Sequence, residues 1–590
     1  MSTTADASAG PTTGTILRPD WLLADANTEP EAGHAVRVVG DVVDAVGPCG
    51  TLIANHPDDE VIDLPDRIVL PGFVNAHVHM YGLLAHGIPQ DAAPAGFWPF
   101  LEEYWWPKVE DGLDHEMVAA AADWACTEML RSGTTTFLDI LEAPNALPDG
   151  LAAQAEAVEQ SGLRGILSFE ATERSGSKVA AAGLDENVRF IKACRDSEKR
   201  AGRTASLLSG LVSIHTLFTC SDTFVLEAFD RASELGVLVH AHCNEGVHEG
   251  EWCESTHGHR SLEHYDNLGV AGPNFLASQV VHLSDAERRI LADRNVRCSH
   301  MPLANGEVGG GIAPIPELLD AGVTVGLGSD GYVNDLYEVM RGAFLIHKAR
   351  LRDPGVMDAR RVLEMATTGG AQALALDLVG RLAPGWSADL QVLDGRFPTP
   401  VTASNLAEQV VLFRSGQHVE SVMVSGSWRV RDGEVVAGDP EGQRARLHQQ
   451  ALRLWSVALA PPPTYPTIEI RDLGHPCPME RSTRTSSTTF VVCSQTANRQ
   501  CWRPSSPLHD QSPDELVPRC WSLMTADESV RSVAERWNPE CLKRPSIVWP
   551  TAVPDSSTTD SLILVLVTPA SVEAKSRSIW SPTCPLPPSS

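Results

Sequence analysis

The chain has 590 residues, 43% hydrophobic and 21% charged, which is the balance of an ordinary globular protein. A formal net charge of −30 argues against nucleic acid and anionic membrane as general partners. Thirteen cysteines without CxxC spacing fit reduced thiols in a cytoplasmic protein rather than a disulfide framework.

In chain order, "MSTTADASAGPTTGT" carries neither a basic n-region nor an apolar h-region, so residues 1–14 are expected to be a disordered N-terminus and not a secretory signal. Short β runs broken by Gly, Asp and Pro fill residues 15–70 and return over 384–440, where "SADLQVLD" and "VESVMVSGSWRVRDGEVVAG" lie. These two segments predict one small β-sandwich made by both ends of the core. Between them, residues 71–383 alternate apolar runs ("TTTFLDI", "LRGILSF", "LLSGLVSIH", "GVLVHAH", "FLASQVVHL", "VRCSH", "GVTVGLGSD") with helical patterns such as "HEMVAAAADWACTEMLRSG" and "SDTFVLEAFDRASELG". Strand–helix alternation on this scale predicts an α/β fold with a parallel (β/α)8 barrel. A helix is expected over 441–465. Beyond it the composition changes: residues 466–590 hold 16 of the chain's 41 prolines. That tail is expected to be a disordered low-complexity extension or the product of a frameshift. Its longest apolar run, "LILVLV", is too short to span a bilayer.

Barrel chemistry sits at the C-terminal ends of strands. The first barrel strand ends in His77-Val78-His79, whose side chains share a face because a strand alternates. Alone, the pair is weak evidence for a metal and reads more readily as two polar residues closing a strand. "VLVHAHCNEG" adds His242 and, three residues on, Glu245; His240, one layer deeper, reads as a buried hydrogen-bonded core histidine. "GVTVGLGSDG" adds Asp330, either a ligand or the cap of the next helix. Three imidazoles and a carboxylate from three strand ends suit Zn²⁺ or Fe²⁺. Such an ion generates hydroxide near neutral pH, and Glu245 stands where a proton carrier is needed.

"LPGFVNAHVH", the His242–Glu245 spacing, "PLANGEVGGGIAPIPELLDAGVTVGLGSDG" and "LAPGWSADLQVLD" resemble the amidohydrolase superfamily, and within it the branch of aminohydrolases, deaminases and chlorohydrolases. "SFEATERSGSKVAAAGLDENVRFI" is similar to the aminohydrolases associated with selenium metabolism. The resemblance implies one divalent metal, zinc ahead of iron, held by His77, His79, His242 and Asp330. It implies Glu245 and Asp330 as proton-handling groups, and Glu103, His215 and Asn305 as substrate contacts. It also implies a homo-oligomer acting on a small nitrogen heterocycle. No lysine ends "GLVSIHTLF", so a carbamate-bridged pair of metals is not expected.

One departure stands out. The family's "HCVHL"-like segment is here "SQVVHL", which puts Gln279 at the first histidine position and His282 at the second. Glutamine donates a hydrogen bond but takes up no proton at neutral pH. A three-residue register shift would move His282 to the other face of a strand, so Gln279 is expected to be the positional equivalent. The expected reaction is attack of metal-bound hydroxide on an sp² ring carbon with loss of ammonia. Chloride release or cyclic-amide opening uses the same groups, and a non-catalytic binding descendant is the rival of another class.

Overall fold

The computed structural model describes residues 13–90, 92–201 and 207–458. The N-terminal twelve residues, the end of the expected last helix and the proline-rich tail lie outside the described residues.

Eight strands form the barrel: β1 (Phe73–Val78), β2 (Thr134–Leu141), β3 (Arg164–Ala171), β4 (Val212–Ile214), β5 (Val239–Cys243), β6 (Phe275–Gln279), β7 (Arg297–His300) and β8 (Val325–Leu327). They pair in chain order and in parallel, and a parallel bridge between Val78 and Asp330 brings the ends of β1 and β8 together. Every residue of β1, β2, β5 and β6 is buried. Burial on both faces is why these strands read as largely apolar runs, with the polar residues that remain gathered toward the barrel mouth or hydrogen-bonded inside it.

Helices stand where the patterns at 115–131 and 222–235 predict them, and others follow the later strands. Those used below are α1 (His115–Arg131), α2 (Asp222–Leu235), α3 (Val247–His257), α4 (Ser261–Asn267) and α5 (Leu336–Leu351). Asp114 and Ser221 cap α1 and α2 by accepting from Met117 N and Phe224 N. Gly236 closes α2 at φ 59°, a conformation that costs glycine little.

Two strands differ from the sequence expectation. "LLSGLVSIH" is split into Leu208–Gly210 and β4, both pairing with β3. "FLASQVVHL" stops at Gln279, because Gln279 and Val280 turn the backbone into the left-handed region at φ 72° and 47°. For a β-branched valine this is a strained conformation.

The flanking sheet is mixed. Thr15–Leu22 pairs in parallel with Glu60–Pro71, and Leu390–Asp394 pairs antiparallel with the same strand. The chain before the barrel and the chain after it therefore share one sheet. Glu60–Pro71 is exposed at its start and buried over its last four residues, where it feeds into β1. Among the described residues no helix is long and apolar enough to cross a membrane.

Candidate metal centre

The C-terminal mouth of the barrel gathers His77 from β1, His79 just past it, Glu170 from β3, His242 from β5, Glu245 just past that strand, Gln279 from β6 and Asp330 past β8. All except His77 line a cavity of about 280 Å³. Close approach of the strand ends is built in: a Cβ on Gly328 would lie 2.7 Å from the Cβ of His77. Asn75 completes the closure, donating to Ser329 Oγ at 2.7 Å and accepting from Ser329 N at 3.0 Å.

The Nε2 atoms of His77 and His79 are 3.2 Å apart, and they stand 3.9 and 3.4 Å from Asp330 Oδ1. One ligand atom from each of His77, His79 and His242 falls within 4.8 Å of the others. Ligand atoms about 2.0–2.2 Å from one ion stand roughly 3–3.5 Å apart, so the donor set fits a divalent metal. The rings are also aimed for it. His79 Nδ1 is 2.7 Å from the Ile140 carbonyl and His242 Nδ1 is 2.7 Å from Glu170 Oε1, which leaves Nε2 of each ring for the centre.

Electrostatics divide the ligands: His77 is held neutral, as a ligand must be, whereas His242 beside Glu170 is held protonated and must give up that proton to bind an ion. Burial, with His79 and His242 as neighbours, holds His77 well below the ordinary imidazole range, and a ligand must be neutral. Burial works against charge on His242 too, but the Glu170 carboxylate outweighs it and lifts the ring to about 9. Glu170 itself is buried, yet His242 pulls it down to about 2. Burial and then the Asp330 charge push Glu245 up to about 8, within reach of proton exchange at neutral pH.

The remaining predicted residues separate. Asp330 does not cap α5; Asp335 does, accepting from Tyr337 N. Gln279 Nε2 donates to Asp330 Oδ2 at 2.8 Å, and Asn305 Nδ2 donates to Gln279 Oε1 at 2.5 Å from behind the cavity lining. His282 is not part of this cavity's lining and contacts the Gly310 carbonyl at 2.6 Å. His215 lines the cavity, with Nδ1 on Thr219 Oγ1 at 2.8 Å and burial holding its ring down at about 3. His240 is fully buried with Nδ1 on Ser213 Oγ at 2.8 Å. His86 meets the Gly331 carbonyl at 2.8 Å on the cavity rim. Glu103 is exposed and outside the lining. Of the aromatics near it, Trp105 lines this cavity, while Trp98 stacks on His248 at 4.0 Å and Trp106 lies under Arg174 at 5.3 Å.

Sequence reasoning missed an acidic network behind the histidines. Arg174 binds Glu142, Glu110 at 3.1 Å and Asp111 at 2.8 Å, and Tyr81 donates to Glu110 Oε1 at 2.8 Å. Glu142 and Glu170 stand at the ends of β2 and β3, so carboxylates at strand ends were the available signal.

Residues 68–429 match the amidohydrolase family. The chain is 33% identical to a 5-methylthioadenosine/S-adenosylhomocysteine deaminase of Haloarcula marismortui, over 75% of this chain and 97% of that one. It is 34% identical to a 5'-deoxyadenosine deaminase of Methanothermobacter thermautotrophicus, over 64% of this chain and 85% of that one. Among solved structures it is similar in fold to a zinc-bound adenosine deaminase from Xanthomonas campestris (TM-score 0.65, 24% identity, 75% and 98% of the two chains). The zinc complex of the atrazine chlorohydrolase TrzN from Arthrobacter aurescens is similar as well (TM-score 0.64, 21% identity, 74% and 100%). The match spans the whole barrel with its histidine and carboxylate cluster, and the chain belongs to the amidohydrolase family.

Proposed function

We propose that this chain is a zinc-dependent deaminase that removes ammonia from the six-membered ring of an adenine nucleoside modified at its 5' position. The observation that carries the reading is the convergence of His77 Nε2, His79 Nε2 and Asp330 Oδ1 on one point of a cavity that Glu245 also lines. His77, His79, His242 and Asp330 would hold the ion, which supplies Lewis acidity and lowers the pKa of water. The substrate class is supported by the deaminase relatives, which are one-third identical.

The chain's own groups divide the remaining work. Glu245, held near neutrality, takes a proton from the attacking water and returns it to the departing nitrogen. Asp330 is oriented by donors from Gln279 Nε2 and, at 2.9 Å, its neighbour Gly331 N. Gln279 offers N–H only, because its oxygen is engaged by Asn305. Tyr104 and Trp105 give a flat ring apolar surface on the cavity wall.

Ammonia release from adenosine, 5'-deoxyadenosine, 5-methylthioadenosine and S-adenosylhomocysteine tests the proposal, with pterins and triazines as counter-substrates. Deamination of at least one nucleoside, lost on chelation and restored by zinc, is expected. Chloride release from a chlorotriazine with no nucleoside deamination would replace this reading with the second one. The second reading has one observation in its favour: chloride leaves without a proton, and Gln279 cannot supply one. The finer likeness to selenium-associated aminohydrolases, a cytoplasmic location and a homo-oligomeric state rest on sequence resemblance and composition alone.

A further inference from the structure

Away from the barrel mouth, three side chains from three helices meet. Asp222 opens α2, His257 closes α3 and His264 lies within α4. One candidate ligand atom from each falls within 4.8 Å of the others. We propose that Asp222, His257 and His264 form a second metal site, separate from the barrel centre, for a borderline transition ion such as Zn²⁺ or Co²⁺.

The donor chemistry fits: two imidazoles and one carboxylate, with the fourth position open to water, is a common zinc set. His264 is the fixed member. Its side chain is 7% exposed, Nε2 lies 2.8 Å from Asp222 Oδ1, and Nδ1 lies 2.8 Å from His259 Nε2. His259, itself touched by Asn267 Nδ2 at 3.2 Å, therefore fixes the ring from behind, as outer partners of metal-binding histidines do. His257 stacks on His264 with ring centres 3.8 Å apart and planes 22° apart, so its ring has to turn out of the stack for a nitrogen to meet the ion in its own plane. Asp222 is 48% exposed in its side chain, so it and His257 have room to close the last ångström around an ion.

The position gives the site a consequence. α3 begins two residues after Glu245, and α4 follows Arg260, whose guanidinium binds Glu287 at 2.7 Å and the His282 carbonyl at 2.5 Å. An ion joining the start of α2 to the far end of α3 and the middle of α4 would clamp the segment that leaves β5 with Glu245. The expected effect is on stability and on the placement of that segment, not on the chemical step.

The test is equilibrium dialysis of the untagged full chain against Zn²⁺ and, separately, Co²⁺, with bound metal measured by atomic emission. Wild type is expected to hold two equivalents. Asp222→Asn with His257→Ala is expected to hold one and to weaken the other at least tenfold. His77→Ala with His79→Ala should lose the barrel equivalent and keep the peripheral one, so failure of the two sites is distinguishable. Unchanged melting of the Asp222/His257 variant in chelator would show that it is folded. A wild type that holds one equivalent, or a variant that keeps the second with unchanged affinity, overturns the proposal.

Discussion

The two sides of the barrel mouth are built by different rules. On the β1 and β5 side, His79 is held by a backbone carbonyl and His242 by the Glu170 carboxylate, so each ring has one orientation and one free nitrogen. On the β6 side, Gln279 sits on strained backbone at φ 72°, and its amide links Asn305 to Asp330. The first side is rigid and suited to an ion; the second is a neutral hydrogen-bond relay where the family pattern has a titratable imidazole. The difference predicts that substitutions on the first side abolish function, while those on the second tune it.

The largest effect should come from His77→Ala with His79→Ala. Metal content at the barrel centre should fall to background, and turnover with it; retained metal and turnover would break the division at its strongest point. Next comes Glu245→Gln, which should keep the metal and lose roughly 10²–10⁴-fold in kcat. This variant also tests the raised Glu245 pKa of about 8. A carboxyl whose folded pKa is raised above its unfolded value stabilises the fold at low pH, and that contribution is lost as pH rises. The metal-free protein should therefore lose Tm between about pH 4.5 and 8. Glu245→Gln should flatten that slope, and an unchanged slope would remove the assignment. Other buried acids share the sign, Glu142 and Asp139 at about 7 among them, so the difference between variant and parent is the quantity to read.

A smaller effect is expected from Glu170→Gln. The amide still hydrogen-bonds His242 Nδ1, but it no longer supplies the charge that makes the ring a strong ligand, and metal affinity should fall roughly 10–100-fold. Glu170 was not singled out from the sequence, whereas His77, His79, His242, Glu245 and Asp330 were. The reason is physical. The ligand histidines stand on strand ends next to glycines and turn residues that mark those ends. Glu170 continues an apolar run, "GILSFEA", and its partner is 72 residues away, on a different strand. The barrel and the shared flanking sheet were legible because buried parallel strands and capped helices alternate in the sequence. The early stop of β6 was not, since it depends on the left-handed turn at Gln279 and Val280, and the exposure of Glu103 depends on which face of the helix Phe100–Trp105 packs.

The smallest effect should lie in the relay itself, where it is also the most informative. Asn305→Ala removes the donor 2.5 Å from Gln279 Oε1 and leaves a buried carbonyl oxygen without that partner. A lost buried hydrogen bond costs about 1–3 kcal/mol, or roughly tenfold in rate or affinity if it falls on the working site. Gln279→Ala removes the donor to Asp330 directly and should cost a similar amount. If the two residues form one relay, the double variant should be little worse than Gln279→Ala alone, because the second loss removes an interaction already gone. Full additivity would mean that Asn305 and Gln279 act separately. Gln279→His then measures what the imidazole adds: a gain in ammonia release would place proton transfer on β6 as well as on Glu245. An unchanged rate would leave Glu245 as the proton carrier on both sides of the mouth.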